Sequence, residues 1–343
     1  MKGKFIRLLF MAGGFIIIMV LYSVSRLFMP GGISPKEGHQ FFYIPDGSSW
    51  QQVLDTLRRN VNIRNQSIFE WTAVKKNYPG RIKPGRYSVE KSMSYVAFTD
   101  MLRSGRQIPV KVTFNNIRNI YELAGKAGRQ IEADSSSIAA FLEDPSNYRS
   151  DGFTRENVIA VFIPDTYEFY WNTSAEGFFR RMLKEYHRFW NDERKTKAEA
   201  VKLTPVEVSI LASIVDDEVA KPEEKPRIAG VYLNRLRRGM PLQACPTIKF
   251  ALNDFTITRV LNKHIEVDSP YNTYRYKGFP PGPIGCPSKE GIDAVLNAEK
   301  HDYLFFAAKA DFSGYHNFSR TLAEHNRYAN EYQRELDRRR IFK

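Results

Sequence analysis

The sequence predicts an α+β protein: an N-terminal transmembrane helix, then a small α/β domain, then a larger mixed α/β domain built around a cleft. Three observations carry this reading. An uncharged apolar run follows three cations at the N-terminus. Short β-prone segments then alternate with capped helices up to about residue 110. From residue 155 the chain turns to helix caps, Pro-Gly loops and polar aromatics. With 343 residues, 43% hydrophobic and 26% charged, the chain has the balance of a folded protein of two or three domains.

Lys2, Lys4 and Arg7 precede LLFMAGGFIIIMVLYSVS, 18 residues from Leu8 to Ser25 without a charge, close to the minimum that spans a hydrocarbon core as a helix. Three cations before the span and Arg26 after it predict a cytoplasmic N-terminus, with the rest of the chain periplasmic and held at the inner membrane. The triplet Ser23-Val24-Ser25 leaves a cleaved signal peptide as the alternative. The 51 Lys and Arg against 38 Asp and Glu give a net charge of +13, suited to nucleic acid, anionic lipid or a polyanionic wall polymer. An outward-facing chain makes nucleic acid the poorest fit of the three.

Residues 1–30 are therefore read as the cytoplasmic tip and anchor, and 31–37 as a Pro/Gly linker. The small domain covers 38–110: FFYI is a strand, PDGSS a turn, Ser48 with Gln51 a capping box opening SWQQVLDTLRRN, SIFEWTAVKKN a second helix and IKPGRYSV a closing strand. Residues 111–154 repeat the order more loosely and form a connector or a second small α/β unit. Residues 155–343 form the large domain.

Its most informative stretch is LTPVEVSILASIVDDEVAK. Thr204 as N-cap, Pro205 as the first helical residue and Glu207 as the reciprocal partner mark a helix start. At 100° per residue, Leu211 lies about 20° from Glu218, Ile214 about 40° and Val215 about 60°, whereas Asp216 lies about 160° away and Asp217 about 100°. Glu218 thus sits in the apolar stripe, while Asp216 and Asp217 are expected on the solvated side. A carboxyl in an apolar setting at the negative end of the helix dipole has its pKa raised, as a general acid requires. A salt bridge to Arg227 or Arg235 is the structural alternative. Three consecutive acids on a helix point three ways, so no metal is expected; no cofactor is implied either. KPEEKPRIAGVYLNRLRRGM restarts as a helix, with Glu223 and Glu224 matched to its N-terminal dipole. Asn234 and Arg235 on it face either the cleft or a buried partner. Cys245 and Cys286 both precede Pro, and an oxidising compartment would let them pair across about 40 residues; two separate thiols are the alternative. His316 and His325 lack metal spacing and read as packing residues.

SIVDDEVA, GVYLNRLRRGMPLQ, SPYNTYRYKGFPPGPI and HNFSRTLAEHN, in this order and at these intervals, resemble the MltG/YceG-like endolytic murein transglycosylases. The resemblance covers the anchor, a LysM-like domain over 38–110 and the catalytic region from FIPDTYEFY onward. It carries the family's catalytic Glu, the second acid of S-I-[IV]-E-x-E, onto Glu218, with Asp216 replacing the first. It implies non-hydrolytic cleavage of the MurNAc–GlcNAc bond of nascent peptidoglycan, leaving 1,6-anhydroMurNAc ends, near the membrane and in association with peptidoglycan synthases. Gln243, Tyr271, Asn272, Tyr274 and Asn234 then offer amides, hydroxyls and rings to the sugars. Two positions depart from the family pattern: LQ-x-D-P-T reads LQACPT, and P-I-x-N-P reads PIGCP. The joint arrival of Cys245 and Cys286 favours a disulfide or an altered subsite. The competing readings are a hydrolytic muramidase, which needs a second carboxylate such as Asp217 or Asp254, and a non-enzymatic wall-binding scaffold.

Overall fold

The chain is described by a computed structural model over residues 2–37, 40–89 and 91–339. For residues 2–10, 20, 23 and 24 only the backbone is described. Internal contacts divide the chain into two units. The first is Met1–Lys111 with two later returns, Gln130–Ala133 and Glu168–Ser174; the second is Val112–Arg129, Asp134–Tyr167 and Ala175–Lys343.

The first unit runs α1 (Lys2–Phe28), β1 (Ile33–Pro35), β2 (Phe42–Ile44), α2 (Trp50–Asn60), β3 (Val61–Ile63), α3 (Gln66–Lys75), β4 (Gly85–Tyr87) and α4 (Tyr95–Ser104). β1 pairs antiparallel with β3, and β2 with β4. Val53, Leu57, Phe69, Tyr87, Phe98 and Leu102 fill the core between the strands and the three shorter helices. Helix α2 starts one residue later than predicted: Ser49 and Gln52 form the capping box, because the Ser48 hydroxyl is spent on the Pro45 carbonyl at 2.6 Å in the preceding turn. The returns at 130–133 and 168–174 were not foreseen. Glu132 accepts a 2.8 Å hydrogen bond from the Asp46 amide, and Trp171 packs on Tyr43 with ring centroids 4.9 Å apart.

Helix α1 covers the predicted anchor. Its Phe15, Ile16, Ile17, Ile18 and Leu21 are all exposed, so apolar side chains leave it on every side with nothing described covering them. Among the described residues no helix is long and apolar enough to cross a membrane, and part of the predicted span, Leu8 to Phe10 with Val20, Ser23 and Val24, lies outside the described side chains.

From Val112 the second unit takes up the rest of β5 (Val110–Phe114), then α5 (Ile120–Ala127), α6 (Ser135–Glu143) and the first three residues of β6 (Asp165–Phe169), which pairs with β5. Then come α7 (Ala175–Phe189), α8 (Asp192–Ala200), α9 (Pro205–Glu218), α10 (Lys225–Arg237), α11 (Cys245–Ala251), α12 (Asn262–Ile265) and α13 (Lys289–Leu296). The hairpin β7 (Phe305–Ala308) and β8 (His316–Ser319) and the long α14 (Leu322–Arg338) close it.

Helix α9 is the centre of this unit, with α8, α10, α11 and α13 packed around it. Thr204, Pro205 and Glu207 start it as predicted. Every residue from Val208 to Val215 is buried, so the helix is enclosed on all sides instead of showing one apolar stripe. That overturns the solvated setting expected for Asp216. Its carboxylate is mostly buried, 2.6 Å from Lys225 Nζ, and accepts from the Ser288 amide at 2.7 Å and the Ser288 hydroxyl at 2.9 Å. Ser288 caps α13, which reaches Asp216 so closely that a Cβ at Gly291 would lie 2.4 Å from a carboxylate oxygen. One short acid thus ties α9, α10 and α13 together. Replacing Asp216 by Ala leaves a buried cation and two donors unpartnered, and is expected to cost about 2–4 kcal/mol in denaturant titration. A loss below about 0.5 kcal/mol contradicts this role.

Glu223 and Glu224 also differ from expectation. They lie in a 3₁₀ turn, Pro222–Glu224, ahead of α10. Glu223 bonds the Tyr315 hydroxyl, and buried Glu224 holds His316, 2.8 Å from Nδ1. Both serve the β8 end of the hairpin more than a helix dipole.

Candidate active site

Glu218 is the last residue of α9, where the helix emerges from the core. The residue is half-buried, but its Oε2 is sealed from solvent and has no hydrogen-bond partner. A sealed, unpartnered carboxyl oxygen is costly as an anion. Burial raises the Glu218 pKa to about 7, with Asp217 adding to the rise and Arg235 and Lys249 acting against it. The carboxyl is therefore poised between acid and base at neutral pH.

Helix α10 supplies the opposite wall. Tyr232 and Arg235, three residues apart on one face, both feel the charge of Glu218. The Tyr232 hydroxyl is buried and, like Glu218 Oε2, has no partner. Arg235 is buried, donates through Nε to the Leu304 carbonyl at 2.7 Å and through Nη1 to the Leu242 carbonyl, and lies over the Phe305 ring at 5.2 Å. It thus anchors β7 and the loop before α11 while holding a positive charge near Glu218. That loop continues into Gln243, an exposed residue with φ of 51°, a left-handed conformation that costs a non-glycine residue about 1 kcal/mol or more. The Gln243 amide donates to the Thr273 carbonyl at 3.0 Å and the Ala244 amide to the Thr273 hydroxyl at 3.0 Å, so the PLQACPT and YNTY loops are stitched together. Tyr274 follows at once. Its hydroxyl is 3.2 Å from Cys245 Sγ, and burial raises the pKa of both groups.

Two orphaned polar atoms, a strained loop and a carboxyl raised to neutrality coincide here. A family model described as the YceG-like family matches residues 42–331. The chain belongs to the YceG-like family. It is 29% identical over 305 residues to the endolytic murein transglycosylase of Bacillus subtilis strain 168, an alignment covering 84% of this chain and 83% of that protein. It is 30% identical over 295 residues to the endolytic murein transglycosylase of Streptococcus pneumoniae serotype 2, covering 77% of this chain but only 53% of that relative, so it spans about half the pneumococcal protein's length. A crystal structure of a yceG-like protein from Listeria monocytogenes matches with a TM-score of 0.55 at 27% identity, covering 84% of this chain and 97% of that one.

In this YceG-like chain the residues expected around Glu218 fall into two groups. Tyr274 and Cys245 feel the Glu218 charge, and Gln243 lies on the loop stitched to Tyr274. Asn234 and Asn272 are buried, and their amides are spent on backbone. Asn234 donates to the carbonyls of His301 and Tyr303, and Asn272 donates to Ile265 and Val267 and accepts from Tyr274 and Arg275. Both side chains thus hold loops in place here. Tyr271 packs its ring on Phe250 at 4.6 Å, with burial raising its pKa to about 12. The two cysteines do not pair here and match the alternative of two separate thiols. Cys245 and Cys286 are free thiols with separate neighbours, Tyr274 for the first and the Ile159 carbonyl, 3.9 Å away, for the second. The residues not foreseen are Tyr232 and Lys249, whereas Arg235, expected to face the cleft or a buried partner, feels the Glu218 charge and also holds two buried carbonyls. Arg235 carried a signal, since a cation within the apolar side of an amphipathic helix needs a buried partner.

Proposed function

We propose that this chain is a membrane-anchored endolytic lytic transglycosylase acting on nascent peptidoglycan, with Glu218 as its single acid and base. The observation that carries the reading is the sealed, unpartnered Glu218 Oε2 in a carboxyl whose pKa is raised to about 7. Relatives carrying the murein transglycosylase name support it. Protonated Glu218 gives its proton to the glycosidic oxygen as the bond from C1 of the muramic sugar breaks, freeing the 4-hydroxyl of the departing GlcNAc. The 6-hydroxyl oxygen of the same muramic sugar then bonds to C1, and its proton passes to Glu218, restoring the acid. No water is consumed. Arg235 stabilises the carboxylate between the two proton transfers, and Tyr274 and Gln243 present a hydroxyl and an amide to the sugars.

The hydrolytic reading needs a second carboxylate facing the same bond. Asp217 is engaged by Arg118, and Asp254 is an exposed residue capping Thr256 at 3.0 Å, which argues against both. The exposed apolar side chains of α1 support the anchor; residues 38–110 serve as a LysM-like wall-binding unit, and residues 155–343 form the catalytic region. The test is to float the full chain with anionic-lipid vesicles and then supply purified glycan strands. The chain is expected to float and to shorten the strands internally. Protein left in the soluble fraction contradicts the anchor, and strands left intact contradict the enzyme.

A further inference from the structure

One cavity of the second unit leaves Glu218 out of its lining. It has a volume of about 720 Å³ and lies between the β5 end, the loop before α13 and the C-terminal turn of α9. Helix α9 gives it Ser213, Asp216 and Asp217, which at 100° per residue sit about 140°, 160° and 100° from Glu218. Tyr232, Arg235, Cys245 and Tyr274, which face Glu218, are absent from its lining. The two sites therefore share one helix end and open on different sides of it.

The lining is sorted by chemistry. Phe114, Ile117 and Ile284 form an apolar floor. Above it stand three cation–anion pairs: Lys225 with Asp216, Arg118 with Asp217, and Lys289 with Asp165. The first is largely enclosed and structural. The other two are open, with side-chain exposures of 41% and 29% for Arg118 and Asp217, and 40% and 48% for Lys289 and Asp165. Open pairs exchange partners at little cost, because each ion keeps much of its hydration. Asn116 at the rim adopts φ of 49°, a left-handed backbone unusual for a non-glycine residue and common where a ligand is met.

We propose that this cavity binds the peptide branch of the substrate: a short zwitterionic peptide, whose carboxylates replace Asp165 and Asp217 on Lys289 and Arg118 and whose ammonium group replaces the cations on the acids. The inference rests on the glycan reading of the Glu218 site. In that reading the sugar cleaved at C1 is the one that bears the peptide, so the branch must leave the glycan close to Glu218. Asp217, the next residue in the chain, is already in the wall of the second cavity. A mixed-charge cavity suits a branch carrying both signs, whereas a neutral glycan would leave its charges unmatched.

The experiment uses the full chain with Lys289→Ala and Asp165→Asn, both distant in sequence from Glu218 and partly exposed, so folding is retained. Two readouts are taken. The first is binding of a free synthetic stem peptide, followed by isotope-edited NMR. The second is the ratio of kcat/KM on peptide-bearing strands to that on strands stripped of peptide by an amidase. The wild type is expected to bind the peptide, and each variant to weaken binding and lower the ratio about tenfold, equivalent to roughly 1.4 kcal/mol. Peptide that does not bind the wild type, or a fall that is equal on both strand types, overturns the proposal; the equal fall marks the cavity as a glycan subsite. Should the wild type cleave neither strand, the transglycosylase reading fails, while peptide binding still decides what the cavity takes.

Discussion

Replacing Glu218 by Gln is expected to lower strand cleavage by about 10³-fold or more, since one carboxyl serves as acid and then as base and each role contributes about 10²–10⁴-fold. Gln is nearly the same size and keeps a hydrogen-bond donor, but it cannot release a proton. The variant is also expected to be the more stable protein at alkaline pH. The folded pKa of Glu218, about 7, lies above its ordinary value of 4.5, so the native state binds this proton more tightly than the unfolded chain. Its contribution to stability is full below about pH 4.5, declines as pH rises, and is gone above about pH 7, a loss of about 3 kcal/mol. Denaturant titrations at pH 5 and pH 8 should therefore show the wild type losing stability relative to the Gln variant as pH rises. The wild-type kcat/KM should fall tenfold per pH unit above about pH 7, where the acid is lost. Equal pH dependence of the two proteins' stability contradicts the setting assigned to Glu218.

The second large effect is expected at Arg235. Met in its place leaves the carbonyls of Leu242 and Leu304 without their donor, at a cost of about 2–4 kcal/mol, and removes the cation that opposes the rise of the Glu218 pKa. The alkaline limb of the pH–rate profile should move upward, and kcat should fall more than KM rises, because the carboxylate formed during the reaction loses its nearby positive charge. Lys keeps the charge but not the two-pronged geometry, so Arg235→Lys should hold the limb near its wild-type position while still losing stability. A limb that stays in place in the Met variant, or shifts downward, contradicts an electrostatic role for Arg235.

These two residues mark how far the sequence could be read. Glu218 was legible because the Thr204-Pro205-Glu207 start fixed the helix phase, and phase alone separated one acid from its neighbours. Asp216 was misread by the same wheel. A helix buried on every side has no solvated face, and only the approach of Gly291 and Ser288, more than 70 residues later, shows why the acid is there. The expected ligand set meets a similar limit. Asn234 and Asn272 have the amides a sugar site wants, but an amide says nothing about whether its partner is a ligand or a loop carbonyl, and here the loops claim both. Tyr274 and Cys245 come together across 29 residues, and Arg235 reaches the Leu304 carbonyl across 69; such pairings depend on loop paths that local pattern does not encode. In the small unit, β2, β4, α2 and α3 followed from capping and turn residues, whereas β1, β3, α4 and the return of Glu132 and Trp171 to β2 and the turn after it did not, because three-residue strands and single residues leave no periodic trace.

The central claim is that one carboxyl cuts the glycan without water. Mass spectrometry of the strand ends released by the wild-type chain tests it most directly. The mechanism predicts 1,6-anhydroMurNAc ends, lighter by one water than reducing ends and absent from the Glu218→Gln digest; reducing MurNAc ends, or oxygen-18 incorporated from labelled water, would contradict it.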